Sequence, residues 1–365
     1  MRKLSLDQIN YLNVGLVLLS CVAAYVYPFE LFLLAYAVLG PLHYLTEISW
    51  LHDKKYFAPD GRTKSAWLLL VGATMLVVVY GIFASATQAG AGNPLWEIAL
   101  FYLVFASALA AALKLSRAFQ IGLLLLTFTL LLTLNNWRYY AVIAFFLITI
   151  IHVFVFTAAF ILYGALKSRS VSALVTLVVF FGCALSFFVF VPEARGHAVS
   201  DYVRGAYASF NALNAELMKL LRLGEGRTAS EVYQSSAGLA VMRFIAFAYT
   251  YHYLNWFSKT SVIRWHEAAR RRVALIAVVW VGALALYARS YETGMTVLYS
   301  LSILHVMLEF PLNHQTFVAI AKESRMILSR HAQPAAQTLA VKRAVKLKKR
   351  AKLSAKDIRE SEAEA

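Results

Sequence analysis

Residues 139–166 read YYAVIAFFLITIIHVFVFTAAFILYGAL, an apolar stretch that contains one histidine and no Asp, Glu, Lys or Arg. A helix of about 20 apolar residues crosses the roughly 30 Å hydrocarbon core of a bilayer, so this stretch is long enough to span one. Two more runs, 65–96 and 273–288, also lack charged residues. Together the three runs predict an integral membrane protein.

The composition of the whole chain supports the same interpretation. Of its 365 residues 60% are hydrophobic, with a mean hydropathy of +0.63, whereas a soluble domain is about 45–50% apolar. We predict an all-α fold, a polytopic membrane helix bundle of about ten transmembrane helices. Residues 1–320 form the transmembrane helical domain, with an outer loop at 193–236, and residues 321–365 form a basic cytoplasmic tail. The predicted helices cover 11–27, 30–50, 66–87, 97–113, 118–135, 138–164, 171–192, 237–257, 272–289 and 293–312.

The distribution of positive charge predicts the orientation. If Arg2 and Lys3 lie inside, alternate loops carry most of the lysines and arginines, so both termini are expected to be cytoplasmic. The net charge is +16, and residues 341–352 of the tail read VKRAVKLKKRAK. We interpret this segment as a cytoplasmic anchor attracted to anionic membrane lipids, and we expect no nucleic acid as a partner.

Ionisable side chains within the apolar segments are the candidates for function, because burying them in a membrane costs several kcal/mol unless they are paired or coordinated. In two segments a histidine precedes a glutamate by four residues, which places both on one helix face. Histidines that converge from several helices predict a shared metal site. The spacing leaves open whether the glutamates bind the metal, orient a ligand or accept a proton. The six residues are His43, Glu47, His152, His252, His305 and Glu309.

Depth in the membrane gives a partial test of this convergence. His43, His252 and His305 lie about six to nine residues from the cytoplasmic ends of their segments, so roughly 10–13 Å deep. His152 lies about fifteen residues from Lys167, so roughly 22 Å deep. The prediction therefore fits three of the four histidines better than the fourth.

Two residues next to this group are also singled out. Tyr251 precedes His252 and is expected to line an apolar substrate cavity or to donate a hydrogen bond at the metal. It joins Glu47 and Glu309 as a candidate catalytic residue. Lys259 follows closely and is interpreted as extending to the lipid head groups.

Other uses of buried histidines stay open from the residues alone. Pairs of histidines are axial ligands of b-type haem, which shows a Soret band. Histidines and carboxylates also relay protons or metal ions through transporters, which favour inverted repeats and broken helices. Unrelated hydrogen-bonded packing is the third possibility.

The short motifs around these histidines resemble those of the bacterial membrane beta-carotene dioxygenases of the Brp/Blh type. The order and rough spacing agree across about 270 residues. Two departures are Trp256, at a position where the family has a second histidine one turn after the first, and glutamates where the family has aspartates. The matching residues are Gly40-Pro41-Leu42-His43 with Glu47, Ile151-His152, Thr250-Tyr251-His252-Tyr253, and Leu304-His305 with Glu309 and His314.

This resemblance implies a function and a cofactor. It implies a non-haem iron oxygenase of dioxygenase type, with Fe(II) held by His43, His152, His252 and His305. The expected substrate is a hydrophobic small molecule, a lipid or a carotenoid-like isoprenoid, and the expected location is the bacterial inner membrane. A relative that acts on another lipid fits the resemblance equally well.

Overall fold

The computed structural model describes residues 4–55, 72, 75, 95–133, 137–191, 199–224 and 228–363. In these ranges every regular element is helical, so the predicted all-α fold is confirmed. The chain forms two compact units, Met1–Val318 and Ala319–Ala365, and all four candidate histidines belong to the first. The predicted segment 66–87 lies outside the described residues, apart from positions 72 and 75.

The α-helices of the described residues are numbered here in chain order. They are α1 (Leu6–Val26), α2 (Pro28–Leu34), α3 (Gly40–Lys54), α4 (Leu95–Ala112), α5 (Arg117–Thr133), α6 (Trp137–Ile148), α7 (Thr157–Ser168), α8 (Val171–Val189), α9 (Asp201–Tyr207), α10 (Asn211–Leu220), α11 (Ala229–Gln234), α12 (Ser236–Ser258), α13 (Thr260–Ile263), α14 (Arg270–Arg289) and α15 (Tyr291–Ala363).

In the described part of the chain, six helices are long and apolar enough to cross a membrane, so the membrane character is supported while the predicted number of about ten is not confirmed. The apolar parts of α4, α5 and α6 are shorter. Helix α12, predicted as a span, is not among the six. The six helices are Leu6–Val26, Pro28–Lys54, Ile151–Ser168, Val171–Val189, Arg270–Arg289 and Tyr291–Ser329.

Helix α12 is the central helix of the first unit. It has 23 residues, 17 of them buried, and it packs against α1, α2 and α8. Its start is defined locally, because the Ser235 side chain accepts a hydrogen bond from the Gly238 backbone N–H and so caps the helix. At Gly238 a Cβ atom would overlap the carbonyl oxygens of Glu231 and Val232 on α11, so the absence of a side chain permits this close crossing.

Two π-helical segments adjoin the candidate histidines. The first, Ala35–Leu39, lies between α2 and α3 and ends four residues before His43. The second, Ile151–Phe156, contains His152. Single π turns inside α-helices occur frequently at functional sites, because the wider turn changes the direction of the following side chains. The first segment is also held from outside, since Trp280 Nε1 on α14 donates to the Val38 carbonyl at 2.8 Å.

The predicted outer loop at 193–236 contains helices that pack into the core. Helices α9 and α10 bury Tyr207 completely and leave Leu213 only 1% exposed. The Tyr207 ring contacts Phe29 and Phe32 of α2 edge to face, with centroids 5.1 and 5.4 Å apart. The described part of this segment is therefore part of the packed unit.

Candidate metal centre

Four histidines from four helical segments meet in the interior of the first unit, and none is more than 7% exposed. His252 Nε2 lies 3.0 Å from His43 Nε2, and His305 Nε2 lies 3.2 Å from His152 Nε2. Every histidine therefore directs its Nε2 towards the others. We call this group the histidine cluster: His43 on α3, His152 on the second π-helical segment, His252 on α12 and His305 on α15.

The structure brings His152 to the same place as the other three, although its predicted depth differed by about 10 Å. The helix that carries it continues to Ser168, whereas α12 ends at Ser258, only six residues beyond His252. The chain after α12 then turns into the short helix α13. The number of residues between a histidine and the end of its helix is therefore a poor measure of its depth, because the helices end at different levels.

Two of the histidines have a contact at the second ring nitrogen that favours Nε2 as a metal ligand. His252 Nδ1 lies 2.9 Å from Thr157 Oγ1 on α7, a hydrogen-bond distance. His152 Nδ1 lies 3.0 Å from Glu309 Oε2, although the observed orientation of the two groups does not complete a hydrogen bond. When Nδ1 carries the proton and donates it, Nε2 keeps its lone pair for a metal ion.

The two glutamates occupy different positions relative to the cluster. Glu47 Oε2 lies 3.0 Å from His43 Nε2, the nitrogen that faces the other histidines. Glu309 instead approaches His152 at its outer nitrogen, Nδ1. Both carboxyl groups are buried and lie next to each other. This geometry makes Glu47 a candidate ligand and Glu309 a candidate orienting residue.

The residues present fit a metal ion. Two atoms that bind one metal at about 2.1 Å with a right angle between the bonds lie about 3.0 Å apart, which agrees with the spacing of the paired Nε2 atoms. Glu47 Oε2 is buried and, although His43 Nε2 lies 3.0 Å away, it completes no hydrogen bond with the described residues, a state that costs about 1–3 kcal/mol unless a cation or donor meets it. His43 joins two groups of possible ligands, one with His152 and His252 and one with Glu47 and His305, and within each group the ligand atoms lie within 4.8 Å of one another. A buried histidine-rich group that could hold a metal ion is therefore present.

Not every histidine has the second contact that is common at metal sites. Within the described residues, Nδ1 of His43 and Nδ1 of His305 complete no well-oriented hydrogen bond. Their rings are instead held by aromatic neighbours, since Tyr253 lies 5.2 Å from His43 and Tyr44 lies 5.4 Å from His305, measured between ring centroids. Packing therefore replaces hydrogen bonding in orienting these two rings.

Trp256, at the position of the second histidine in the resembling family, lies beside the cluster. Its ring centroid is 5.4 Å from that of His43, edge to face, and its Nε1 donates to Thr46 Oγ1 at 3.0 Å. An indole N–H donates and cannot coordinate a metal. Trp256 thus forms part of the wall of the site, and its hydrogen bond to Thr46 attaches its side chain to α3.

Two other residues from the sequence analysis lie apart from the histidine cluster. Tyr251 is fully buried, and its hydroxyl donates to Asn13 Oδ1 on α1 at 3.2 Å. It borders a cavity next to the cluster, so its predicted role as a cavity wall agrees with its place, and its catalytic role stays a prediction. His314 Nδ1 lies 2.6 Å from the Phe310 carbonyl oxygen, and its ring packs on Phe105.

A cavity of about 490 Å³, here called the large cavity, reaches the cluster from one side. Its walls are mostly apolar and come from both ends of the sequence, including Ile9, Phe160 and Leu312. The charged residues that line it in the described part of the chain are Glu47, Glu309, Lys167 and Lys259. A cavity of this size lies in the range of about 300–1,000 Å³ that holds organic ligands.

A second cavity of about 120 Å³, the small cavity, borders the cluster from another side. His152, His252 and His305 line it, together with residues of the segment predicted as an outer loop, such as Phe210 and Leu213. Of the described residues, only His252 lines both cavities. The histidine cluster therefore separates two spaces of unequal size.

Sequence reasoning found the four histidines and both glutamates but missed two polar neighbours. Thr157 was not distinguished from other threonines in apolar segments, because only the fold brings it to His252, 95 residues away. Asn255 lies one turn after His252, and this spacing is the signal that could have identified it.

Comparison with known proteins adds no relative to this description. No family model matches the chain, and no curated protein or solved structure matches it significantly. The function is therefore argued from the geometry of the site.

Proposed function

We propose that the chain is a membrane-embedded non-haem iron oxygenase that acts on a hydrophobic lipid or isoprenoid of carotenoid-like character in a bacterial inner membrane. One observation carries the proposal. Imidazole nitrogens from four helical segments converge beside a buried carboxylate, at a cavity that is large enough for an organic molecule. Imidazole ligands suit both iron and zinc, so the ligand type does not choose between the two metals. The motif resemblance to the beta-carotene dioxygenases favours iron.

The Nε2 atoms of the cluster would hold the metal, with Glu47 beside it. The chemistry that a ferrous ion held by these residues would supply is the activation of dioxygen. Thr157 lies at hydrogen-bond distance from the outer nitrogen of His252, and Glu309 lies 3.0 Å from that of His152, where a small rotation would let it accept a hydrogen bond. Partners of this kind raise the basicity of the ligand and hold the ring in one orientation.

The two cavities allow the substrates to reach the centre separately. The apolar walls of the large cavity suit the hydrophobic substrate and exclude water from the reacting end. The small cavity suits a molecule the size of dioxygen or water. Glu47 and Glu309 both border the large cavity, so either carboxylate is placed to accept a proton from a molecule bound there.

A second candidate function is supported by the same pair of cavities. A histidine and carboxylate cluster with space on two sides also fits a transporter that relays protons or metal ions. In that case the cluster would be a transient binding site rather than a stable metal centre. Metal retention through purification distinguishes the two functions.

Metal content is the test. The protein is produced with iron supplied, purified in detergent without chelators, and examined by mass spectrometry for metals together with an absorption spectrum. We expect about one iron per chain and no Soret band in the wild type, with iron lost in His305→Ala. His314→Gln is the matched control, because His314 lies on the same helix and outside the cluster.

Three outcomes would contradict the proposal. A wild type free of metal under these conditions favours the relay, and liposome flux measurements would then follow. A Soret band identifies a haem protein. Equal iron content in wild type and His305→Ala would place the iron elsewhere.

A further inference from the structure

The acidic and basic residues that line the large cavity lie in different parts of it. Its two acidic residues, Glu47 and Glu309, lie at the histidine cluster. Its two basic residues, Lys167 and Lys259, lie near the C-terminal end of α7 and just after α12. The cavity therefore has a metal-binding end and a cationic end, joined by apolar walls.

Lys259 lies in line with the cluster along α12. His252, Asn255 and Lys259 follow each other at spacings of three and four residues, so all three face the large cavity. The seven residues from His252 to Lys259 correspond to about 10 Å along a helix axis. One side of the cavity thus presents a metal ligand, an amide and an ammonium group at successive turns.

Among the residues that the structure describes, the ammonium group of Lys259 has no polar partner. In the described residues no ion pair or hydrogen bond reaches it, although it is only partly exposed. Removal from water is the one cause that lowers its pKa, to about 8. Asn255 is buried next to it, and its Oδ1 has no hydrogen-bond partner either. The ammonium group of Lys259 thus borders an apolar space without a partner among the described residues, which is costly unless an anion meets it.

We propose that the large cavity binds an amphipathic lipid with an anionic head group, held by Lys259, whose apolar chain extends to the histidine cluster. Charge complementarity at one end and apolar walls along the rest define this class of ligand. The shared head-group chemistry is a carboxylate or a phosphate. That this lipid is the substrate rests on the proposed oxygenase function. In that role, the reacting position lies about 10 Å from the head group.

Lys167 is the second basic residue at the cationic end of the large cavity. Its side chain is exposed, and its ammonium lies 5.5 Å from the centroid of the Tyr163 ring. Both residues line the large cavity. An exposed lysine attracts anions to the entrance, whereas the less exposed Lys259 meets the head group with less competition from water.

Binding of three ligands with the same sixteen-carbon chain tests the proposal: hexadecanoate, hexadecyl phosphate and hexadecanol. Affinity is measured by native mass spectrometry of the full-length, detergent-purified protein. We expect at least one of the two anions to bind about tenfold or more tightly than the alcohol, as a charge-assisted hydrogen bond predicts. The tighter anion identifies the head-group class.

Variants then test whether Lys259 causes the preference for the anionic ligands over the alcohol. Lys259→Met is expected to bring the three affinities within about twofold of one another, while Lys259→Arg keeps the preference. Lys219→Met is the matched control, because it removes one positive charge from an ion pair with Glu216 that lies away from the cavity. An unchanged preference in Lys259→Met would overturn the assignment.

Two results would overturn the proposal without any variant. They are equal binding of the alcohol and both anions to the wild type, and failure of all three ligands to bind. Iron content is measured in the same samples. If the protein contains iron but does not prefer the anions, the lipid-site inference is wrong and the proposed oxygenase function is unaffected. If it prefers the anions but contains no iron, the proposed oxygenase function is wrong and the lipid site remains.

Discussion

Glu309 contacts His152 across the bundle, with 3.0 Å between Oε2 and Nδ1, although His305 lies one turn before it on its own helix. Glu47, by contrast, contacts the histidine of its own helix, His43. The same His-x-x-x-Glu spacing therefore produces two different arrangements. Glu47 faces Nε2 of His43, the nitrogen directed into the cluster, whereas Glu309 faces Nδ1 of His152, the nitrogen directed away from it. The two carboxylates would therefore affect a bound metal differently.

Replacing Glu309 tests its orienting role. Loss of an outer partner of a ligating histidine lowers metal affinity by about 10–100-fold, and we expect this from Glu309→Ala. Glu309→Gln is expected to lose less, because its amide oxygen still accepts a hydrogen bond from His152 Nδ1–H. Competition with a chelator measures both affinities. Equal affinity in wild type and Glu309→Ala would show that the contact does not orient the ligand.

Thr157 offers a conservative test of the second outer contact. Thr157→Val keeps the size of the side chain but removes the group that lies 2.9 Å from His252 Nδ1. We expect a decrease of about tenfold in metal affinity, and near wild-type affinity in Thr157→Ser. Thr176→Val is the control, since Thr176 also lines the large cavity but donates to backbone carbonyls of Asn10 and Ser172. A similar loss in both valine variants would indicate a general effect on packing.

Trp256 is expected to shape the centre without binding metal. Trp256→Phe removes the hydrogen bond to Thr46, which stabilises the fold by about 1 kcal/mol. We therefore expect a lower unfolding temperature and unchanged iron content. Thermal unfolding in detergent and metal analysis on one sample separate the two effects. Loss of iron at an unchanged unfolding temperature would identify Trp256 as part of the metal site.

The crossing of α11 and α12 depends on Gly238. A methyl group there would overlap backbone oxygens of Glu231 and Val232, and we expect Gly238→Ala to destabilise the protein by about 1–3 kcal/mol. Gly164→Ala is the matched control, because no other group lies within 4 Å of the added carbon. Removing a helical glycine stabilises by up to about 1 kcal/mol. Opposite shifts of the unfolding temperature are the expected result, and equal shifts would contradict the close crossing.

The affinity of the lipid site is expected to depend on pH through Lys259. Its pKa is lowered to about 8, so the free protein loses this positive charge as the pH rises above that value. Binding of hexadecanesulfonate, whose charge does not titrate, should weaken above pH 8 and then level off, with a total loss of about the tenfold that the Lys259 charge contributes. Lys259→Arg should abolish this dependence, since arginine stays charged. The other charged residues around the cavity are Glu47, Lys167 and Glu309. A pH dependence that persists in Lys259→Arg would assign the titration to one of these or to a histidine or tyrosine of the cavity wall.

Residue types and their order along the chain were enough to predict a helical membrane protein and its candidate histidines. Long apolar runs require helices in a bilayer, because each backbone N–H and C=O must find its partner within the segment. Isolated histidines in such runs are costly and therefore conspicuous. Both inferences need only local information, and the structure confirms the all-α fold and brings the four histidines together.

The tertiary structure alone decided which nitrogen of each histidine faces the others and which partner each glutamate meets. It also placed Thr157 beside His252, packed α9 and α10 into the core, and made Lys259 part of a cavity wall. These contacts join residues from helices that are distant in sequence. Helical periodicity defines the faces of one helix, whereas the tilt, rotation and π turns of packed helices determine which faces meet.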